Sequence, residues 1–270
     1  MVDIWREETS VRFGSVDCSN RLTVGSIFSF FQEAAISHAA DLGVGVNDLA
    51  EKKQVWVLSR FSLFIERRPA YGETIKISSW PRKWEKLFAI RDYEIRDRED
   101  RSVVRGRAGW LVLDIEKRRP LRVEAILNGL PPNEGIDVFP RTGVSASPVA
   151  LDFKSSSEKK AERTALYSDI DYYGHVNNAR YVQWIQDLTD METLTKTDQV
   201  RLDINYLSEV KPRETVELWM APLETGAPDA GGSGLGDAAY PSRPGPGFFY
   251  EGRRPVSGQA VFRAELRTGW

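Results

Sequence analysis

The sequence has few of the residues that form disulfides and metal sites. Its 270 residues include one cysteine, Cys18, and two histidines, His38 and His175. One cysteine cannot form a disulfide within the chain, and zinc and redox motifs need cysteine pairs or clustered histidines. We therefore expect a protein of a reducing compartment that uses no metal or other cofactor.

Long apolar runs and an excess of charge are absent as well. No segment reaches the roughly 18 apolar residues that span a bilayer, and residues 1–8 lack the features of a signal or transit peptide. The 37 basic and 39 acidic residues nearly cancel to a net charge of -2, which argues against a general nucleic-acid binder. These features predict a soluble cytoplasmic protein with no nucleic-acid or membrane partner.

What the sequence does contain is one pattern that occurs twice. Residues 24–42 and 178–194 both carry apolar side chains at helical spacing. The turn before each helix contains an aspartate, and an ungapped match of the two helices places Asp17 opposite Asp171. A single duplication explains these matches more simply than coincidence does.

A β-rich run follows each helix, at residues 56–66 and 200–209, and matching the two runs places Glu66 opposite Glu209. Each half therefore contains one long helix and several strands, which favours an α+β arrangement in which a sheet wraps around the helix. Joining two such sheets edge to edge would hide two exposed strand edges.

Two irregular segments interrupt the pattern. Proline, serine and lysine are frequent in residues 124–162, which we interpret as a linker. Glycine and proline are frequent in residues 222–247, which we interpret as a long hairpin loop between the last two strands. The predicted domains are thus an N-terminal domain at residues 1–123 and a C-terminal domain at residues 163–270.

Residues 169–181 read Asp-Ile-Asp-Tyr-Tyr-Gly-His-Val-Asn-Asn-Ala-Arg-Tyr. This run resembles the Asp-x-Asn-x-His-Val-Asn-Asn-x-x-Tyr signature of the acyl-acyl carrier protein thioesterases. Further segments similar to that family lie at residues 32–35, 56–60, 91–95 and 110–114. The resemblance covers nearly the whole chain apart from the linker and the loop. It implies an α+β double hot dog fold, with two tandem hot dog domains, each an antiparallel sheet wrapped around a long helix.

The resemblance also implies a catalytic set in the C-terminal domain. The family's catalytic Asp and His fall on Asp171 and His175, and its Glu falls on Glu209. The motif's Asn falls on Tyr173, which either replaces that Asn as a hydroxyl donor or points elsewhere. The cysteine that follows the Glu in plant members falls on Val210, which excludes a cysteine nucleophile at that position.

Thioester hydrolysis needs an activated water and a hydrogen-bond donor for the developing oxyanion. Glu209 or Asp171 activates the water, or Asp171 forms a covalent intermediate, and the sequence leaves these routes open. His175 is the expected proton shuttle. Asn177 is a plausible helix N-cap, and the backbone N–H groups of residues 174–178 are positioned to polarise the thioester carbonyl.

The implied substrate is a fatty acyl chain on the phosphopantetheine arm of acyl carrier protein, with the N-terminal domain holding the acyl chain. Because the carrier in this family's reaction is acidic, basic side chains are candidate contacts, by electrostatic steering more than by raw affinity. These are Arg67, Arg68, Arg82, Lys83, Lys86 and Lys211. An acyl-coenzyme A thioesterase and a catalytically silent acyl-binding protein are the alternative functions, and a homodimer is left open.

Overall fold

The structure, a computed structural model, describes residues 4–85, 87–127, 133, 135–139, 157–223 and 246–269. The chain divides into two compact units. The first contains the described residues of 1–61 and 68–146, and the second contains 62–67 and the described residues of 147–270. Most of the predicted linker lies outside the described residues, so the predicted boundaries stay predictions.

The first unit combines one long helix with an antiparallel sheet. Its helices are α1 (Val24–Asp41) and α2 (Val46–Ala50). Its strands are β1 (Trp5–Ser10), β2 (Gln54–Ile65, whose last residues, 62–65, belong to the second unit), β3 (Thr74–Glu85), β4 (Phe88–Arg96), β5 (Ser102–Asp114) and β6 (Arg119–Pro120). The strands lie in the order β1-β3-β4-β5-β2, with β6 beside β5, and the pairs β1–β3, β3–β4, β4–β5 and β5–β6 are antiparallel.

Helix α1 confirms the helix expected at residues 24–42. Thr23 caps its N-terminus, since the Thr23 hydroxyl accepts a hydrogen bond from the Ser26 N–H at 3.0 Å. The helix ends before Gly43, whose φ of +69° is a left-handed conformation that glycine adopts without strain. The apolar face of α1 is buried, and Phe31 on that face packs 4.9 Å from the ring of Tyr93 on β4.

Aromatic side chains fill the core of the first unit. The rings of Phe28 and Phe61 lie 4.4 Å apart, and Phe61 lies 5.4 Å from Tyr93. A Cβ at Gly106 on β5 would approach the Phe61 ring to 2.9 Å, so glycine at this position lets the aromatic cluster pack against the sheet. These rings therefore stabilise the domain, and its role in holding the acyl chain stays a prediction.

The second unit repeats the arrangement. Its helices are α3 (Asn178–Leu188) and α4 (Met191–Lys196). Its strands are β7 (Glu158–Thr164), β8 (Val200–Tyr206), β9 (Thr215–Pro222), β10 (Gly247–Arg253) and β11 (Ala260–Thr268), in the antiparallel order β8-β11-β10-β9-β7. Tyr181 on α3 packs against the sheet, with its ring 5.4 Å from Phe262 and 5.6 Å from Tyr206. The predicted α+β class is confirmed.

The single helix predicted at residues 178–194 is wrong, because α3 ends at Leu188. The Thr189 hydroxyl lies 2.8 Å from the Tyr250 hydroxyl and donates to the Ile185 carbonyl, which fixes the end of the helix against the sheet. Asp190 then caps α4 by accepting a hydrogen bond from the Thr193 N–H at 3.0 Å. The hydrogen bonds of Thr189 and Asp190 thus divide the segment into two helices, α3 and α4.

Two segment assignments also change. Residues 158–162, which we assigned to the linker, belong to β7 and pair with β9. The Gly/Pro-rich loop 222–247 joins β9 to β10 rather than the last two strands, since β11 follows, and residues 224–245 lie outside the described residues. In the part of the chain that the structure describes, no helix is both long and apolar enough to cross a membrane.

Candidate active site

Asp171 organises a tight turn just before α3. The Asp171 N–H donates to the His175 carbonyl at 2.9 Å, and the Gly174 N–H donates to the Asp171 carbonyl at 3.0 Å. Gly174 has a φ of +77°, which favours glycine at this position. The carboxylate oxygen Asp171 Oδ1 accepts from the Tyr173 N–H at 2.9 Å and more weakly from the His175 N–H at 3.5 Å. The turn thus fixes one oxygen of Asp171, and no described residue donates to Oδ2.

His175 and Glu209 form the second part of the site. His175 Nε2 lies 3.3 Å from Glu209 Oε2, and the two side chains are 28% and 57% exposed. The loop carrying Glu209 is tied to the turn, because the Val176 N–H donates to the Val210 carbonyl at 2.9 Å. The Glu209 carbonyl in turn accepts from Arg254 Nη2 at 2.7 Å. The predicted catalytic residues are therefore neighbours at a position that solvent reaches.

The N-terminus of α3 begins at this site. Asn177 is the N-cap, with its side-chain oxygen accepting from the Ala179 N–H at 2.9 Å, and its own N–H donates to the Asp169 carbonyl at 2.8 Å. The Tyr206 hydroxyl donates to the Asn178 carbonyl at 3.0 Å. Among the described residues, none accepts a hydrogen bond from the Asn178 N–H. Of the backbone donors at 174–178, this N–H is the one left for a ligand.

Tyr173, which stands at the family's Asn position, contributes its backbone rather than its hydroxyl to the turn. Its ring is 42% exposed and lies edge-on to Tyr172 at 5.5 Å. Partial burial and the nearby Asp171 charge raise the pKa of the Tyr173 hydroxyl, which keeps it protonated. No described residue hydrogen-bonds to that hydroxyl, so the geometry favours the reading in which the side chain points elsewhere.

We expect Tyr173→Phe to keep turnover within about threefold of the parent, because it removes only a hydroxyl to which no described residue hydrogen-bonds. The N–H that holds Asp171 Oδ1 is unaffected by this change. Steady-state kinetics of the variant checks this prediction. A loss of a hundredfold would show instead that the hydroxyl has taken over the catalytic contact of the family's Asn.

The first unit contains the same turn with different side chains. The Asp17 N–H donates to the Arg21 carbonyl at 2.9 Å, as the Asp171 N–H does to the His175 carbonyl. Asp17 Oδ1 accepts from the Ser19 N–H at 2.9 Å, which matches the contact between Asp171 and Tyr173. Arg21 therefore occupies the place of His175, as the ungapped match predicted.

The counterpart of Glu209 is Arg68, so the match of Glu66 to Glu209 is wrong. The Leu22 N–H donates to the Pro69 carbonyl at 2.8 Å, and the Val176 N–H donates to the Val210 carbonyl at 2.9 Å. These equivalent bonds make Pro69 the counterpart of Val210. The residues just before them, Arg68 and Glu209, are therefore counterparts as well. Glu66 itself is exposed and precedes this turn.

Arg68 gives the first turn a different character. Arg68 Nη1 lies 2.8 Å from Asp17 Oδ2, the carboxylate oxygen that has no described donor in Asp171. The side chains are 1% and 20% exposed. Burial alone would raise the pKa of Asp17, but the Ser19 hydroxyl and the Arg68 charge outweigh it, so the pKa lies below its usual value. The first turn is an internal ion pair, whereas the second keeps its carboxylate available.

We expect Asp17→Asn to lower the free energy of unfolding by about 2 kcal/mol at pH 7, because it removes the charged partner of a buried guanidinium. A carboxylate with a lowered pKa contributes stability above its unfolded-state pKa and loses that contribution as the pH falls through its folded-state pKa. The difference between the two proteins should therefore shrink as the pH drops below about 4. Urea unfolding of both proteins at pH 7 and at a pH of about 3 measures this difference in the free energy of unfolding. An equal difference at the two pH values would contradict the ion-pair account.

Two of the proposed carrier-protein contacts are not exposed cations. Arg68 is 2% exposed and faces Asp17, so its prediction as a surface contact is wrong. Arg82 is 16% exposed at its side chain and forms a short ion pair with Asp137. Arg68 is covered within the fold beside Asp17, and Arg82 is held by Asp137 of the segment at 135–139.

The remaining basic candidates differ from one another. Lys211 is exposed on the loop beside Glu209 and has no acidic partner among the described residues. Arg67 is half-buried, and Lys83 pairs with Glu85 at 2.9 Å. Lys86 lies outside the described residues. Lys211 is therefore an exposed cation on the loop that carries Glu209.

The other histidine, His38, lies in the interior of the first unit. His38 is 1% exposed, with Nδ1 3.0 Å from Arg91 Nη1, which also donates to the Ser79 hydroxyl at 3.0 Å. Burial lowers the pKa of the Arg91 guanidinium. In the described residues, no group of three or more His, Cys, Asp or Glu side chains is arranged to hold a metal ion.

Comparison with known proteins agrees with this architecture. An acyl-ACP thioesterase of Bacteroides thetaiotaomicron has a solved structure with a TM-score of 0.74 and 23% identity, covering 98% of each chain. A helix on an antiparallel sheet, present twice in one chain, defines this protein as a double hot dog protein.

Family models identify the particular branch. The model described as the acyl-ACP thioesterase N-terminal domain matches residues 3–127, and the C-terminal domain model matches residues 154–230. The chain belongs to the acyl-ACP thioesterase family.

The curated relatives are longer plant proteins. A chloroplastic acyl-(acyl-carrier-protein) hydrolase of Cuphea viscosissima is 23% identical, with 79% of this chain and 54% of that protein covered. A chloroplastic palmitoyl-acyl carrier protein thioesterase of Cuphea hookeriana is 24% identical, with 86% and 57% covered. This chain therefore spans about half the length of the curated relatives it matches.

Proposed function

We propose that this protein hydrolyses fatty acyl-acyl carrier protein thioesters to free fatty acid and carrier protein, ending fatty acid synthesis in the cytoplasm. The observation that carries the proposal is the Asp171 turn with its adjoining His175–Glu209 pair at 3.3 Å. Family membership supports the same reaction class. The turn of the first unit, with Asp17 held by Arg68, is assigned a structural role.

In the proposed reaction, Asp171 Oδ2 either orients and deprotonates the attacking water or attacks the carbonyl itself. In the second route, water then hydrolyses the acyl-aspartyl anhydride, which releases the fatty acid and regenerates the carboxylate. The carbonyl carbon gains a bond to oxygen and the carbon–sulfur bond breaks. The departing thiolate then accepts a proton. His175, oriented by Glu209, is placed to move this proton, and the Glu209 charge stabilises the imidazolium that forms. This assignment makes Glu209 a positioning residue rather than the direct base.

The Asn178 N–H is the proposed donor to the oxyanion. It lies in the first turn of α3, where the helix dipole adds partial positive charge. A donor of this kind typically contributes about a hundredfold or more to turnover. Asn177, whose side chain already caps the helix, acts by positioning this N–H.

Steady release of free thiol from palmitoyl-acyl carrier protein and from palmitoyl-coenzyme A tests the proposal. We expect kcat/KM for the carrier-bound substrate to be higher by about tenfold or more, as charge complementarity to an acidic carrier would give. A preference for coenzyme A would identify an acyl-coenzyme A thioesterase. Binding of either substrate without thiol release would identify a silent acyl-binding protein.

A further inference from the structure

A depression in the second unit extends from the Asp171 turn to residues that the proposed chemistry does not use. Its volume is about 800 Å³. Its lining includes Leu166, Tyr167, Ile170, Asp171, Pro212 and Arg213. Leu166 and Tyr167 are 55% and 97% exposed, so the depression has apolar walls that face solvent. The carboxylate of Asp171 and the guanidinium of Arg213 both belong to residues that line it.

Arg213 holds an uncommon backbone conformation on the rim. Its φ is +71°, a left-handed conformation that disfavours side chains with a Cβ. Its counterpart in the first unit is Gly72, with a φ of +79°. The equivalence rests on hydrogen bonds, since the Arg213 N–H donates to the Ala165 carbonyl and the Gly72 N–H donates to the Val11 carbonyl, both at 2.9 Å. The fold therefore favours glycine here, yet the second unit carries arginine.

The Arg213 side chain is also available for a ligand. It is exposed, and in the described part of the chain no carboxylate pairs with it. The adjacent Glu214 is already engaged, since Glu214 Oε2 lies 3.3 Å from Arg254 Nη2 and accepts from the Lys211 N–H at 3.1 Å. A strained residue kept at a cleft is a reason to look for a function. A guanidinium at such a place is suited to a phosphate group.

We propose that Arg213 binds the phosphate of the phosphopantetheine arm while the arm crosses the depression to bring the thioester to Asp171. This inference rests on the proposed function, because it describes how that substrate is held. The apolar walls contributed by Leu166, Tyr167 and Pro212 contact the arm's hydrocarbon part. Arg213 thereby recognises the arm itself, independently of the protein or nucleotide to which it is attached.

The test compares acyl-4′-phosphopantetheine with acyl-pantetheine, which lacks only the phosphate. For the parent protein we expect the KM of acyl-pantetheine to be about tenfold higher, as loss of a charge-assisted contact would give. In Arg213→Gly this ratio should fall to about one, while the melting temperature equals or exceeds that of the parent because glycine relieves the left-handed strain. The matched control is Arg163→Ala, which changes a half-buried arginine on β7 that pairs with Asp187 and should keep the ratio.

A second measurement does not depend on turnover. Calorimetric binding of free 4′-phosphopantetheine and of pantetheine to the same three proteins should show the same tenfold preference, lost only in Arg213→Gly. If the parent hydrolyses neither thioester but shows this preference, the proposed function fails and the phosphate site stands. A preference that survives in Arg213→Gly, or that Arg163→Ala also abolishes, would overturn the phosphate site.

Discussion

Glu209→Gln should lower turnover by about a thousandfold while leaving the fold intact. The amide keeps the size of the side chain and its approach to His175 Nε2, now 3.3 Å away, but it removes the negative charge that stabilises the protonated imidazole. Replacing the carboxylate of a histidine–carboxylate pair by an amide has effects of this order in acyl transfer. Because Glu209 is largely exposed, its loss should change the melting temperature little.

Glu217→Gln is the matched control for this prediction. Glu217 lies on β9 of the same unit and pairs with Lys159 at 2.8 Å rather than with a residue of the Asp171 turn. It should keep more than half of the parent turnover. If Glu209→Gln keeps more than a tenth of the turnover, the pair with His175 is not part of the chemistry.

His175→Arg should also lower turnover by about a thousandfold, and it should do so in a folded protein. The first unit shows that this turn accepts arginine, because Arg21 occupies the equivalent position with the same backbone hydrogen bond. Arginine places a fixed positive charge beside Glu209, but its guanidinium stays protonated in proteins and cannot transfer a proton. The substitution therefore separates charge from proton transfer.

Circular dichroism and the melting temperature of His175→Arg establish that the fold is kept. Thiol release from palmitoyl-acyl carrier protein then measures the loss. Retention of more than a tenth of the parent turnover would mean that a fixed positive charge suffices at this position, and the proton-transfer role of His175 would have to be abandoned.

Helix α1 and the Asp171 turn could be predicted because their signals are local. The residues that follow Thr23 carry the helical periodicity, and Gly43 ends it. The turn depends on Gly174 and on an aspartate that bonds to N–H groups two and four residues ahead. Each of these contacts lies within a few residues of its partner, so the order of amino acids is enough to indicate it.

The misread residues depend on contacts between distant parts of the chain. Arg68 is adjacent to Arg67 in sequence, and the two were therefore both candidate surface contacts for the carrier protein. Arg68 is in fact buried and forms an ion pair with Asp17. The sequence does not show its equivalence to Glu209, because the match of Glu66 to Glu209 also aligns Pro69 with Pro212, two residues after its true counterpart Val210. Only the hydrogen bonds of Pro69 and Val210 with the respective turns correct that register.

The end of helix α3 could not be predicted for a different reason. Its apolar spacing continues past Leu188, so a prediction from periodicity alone makes the helix too long. Thr189 ends it by bonding to Tyr250 on β10, a residue that is 61 positions away in the sequence. Similarly, the strain at Arg213 is a property of its backbone angles, which cannot be predicted from the identity of the residue.

The most direct test of the central claim, that the second turn performs the chemistry and the first supports the fold, is a comparison of Asp171→Asn with Asp17→Asn. Each variant changes one carboxylate to an amide, and the two aspartates occupy equivalent positions in turns with the same backbone hydrogen bond. Thiol release from palmitoyl-acyl carrier protein is measured at a temperature at which both variants are folded. We expect Asp171→Asn to lose at least a hundredfold in kcat and Asp17→Asn to stay within about threefold of the parent. Comparable losses in both variants, or a larger loss in Asp17→Asn, would contradict the account.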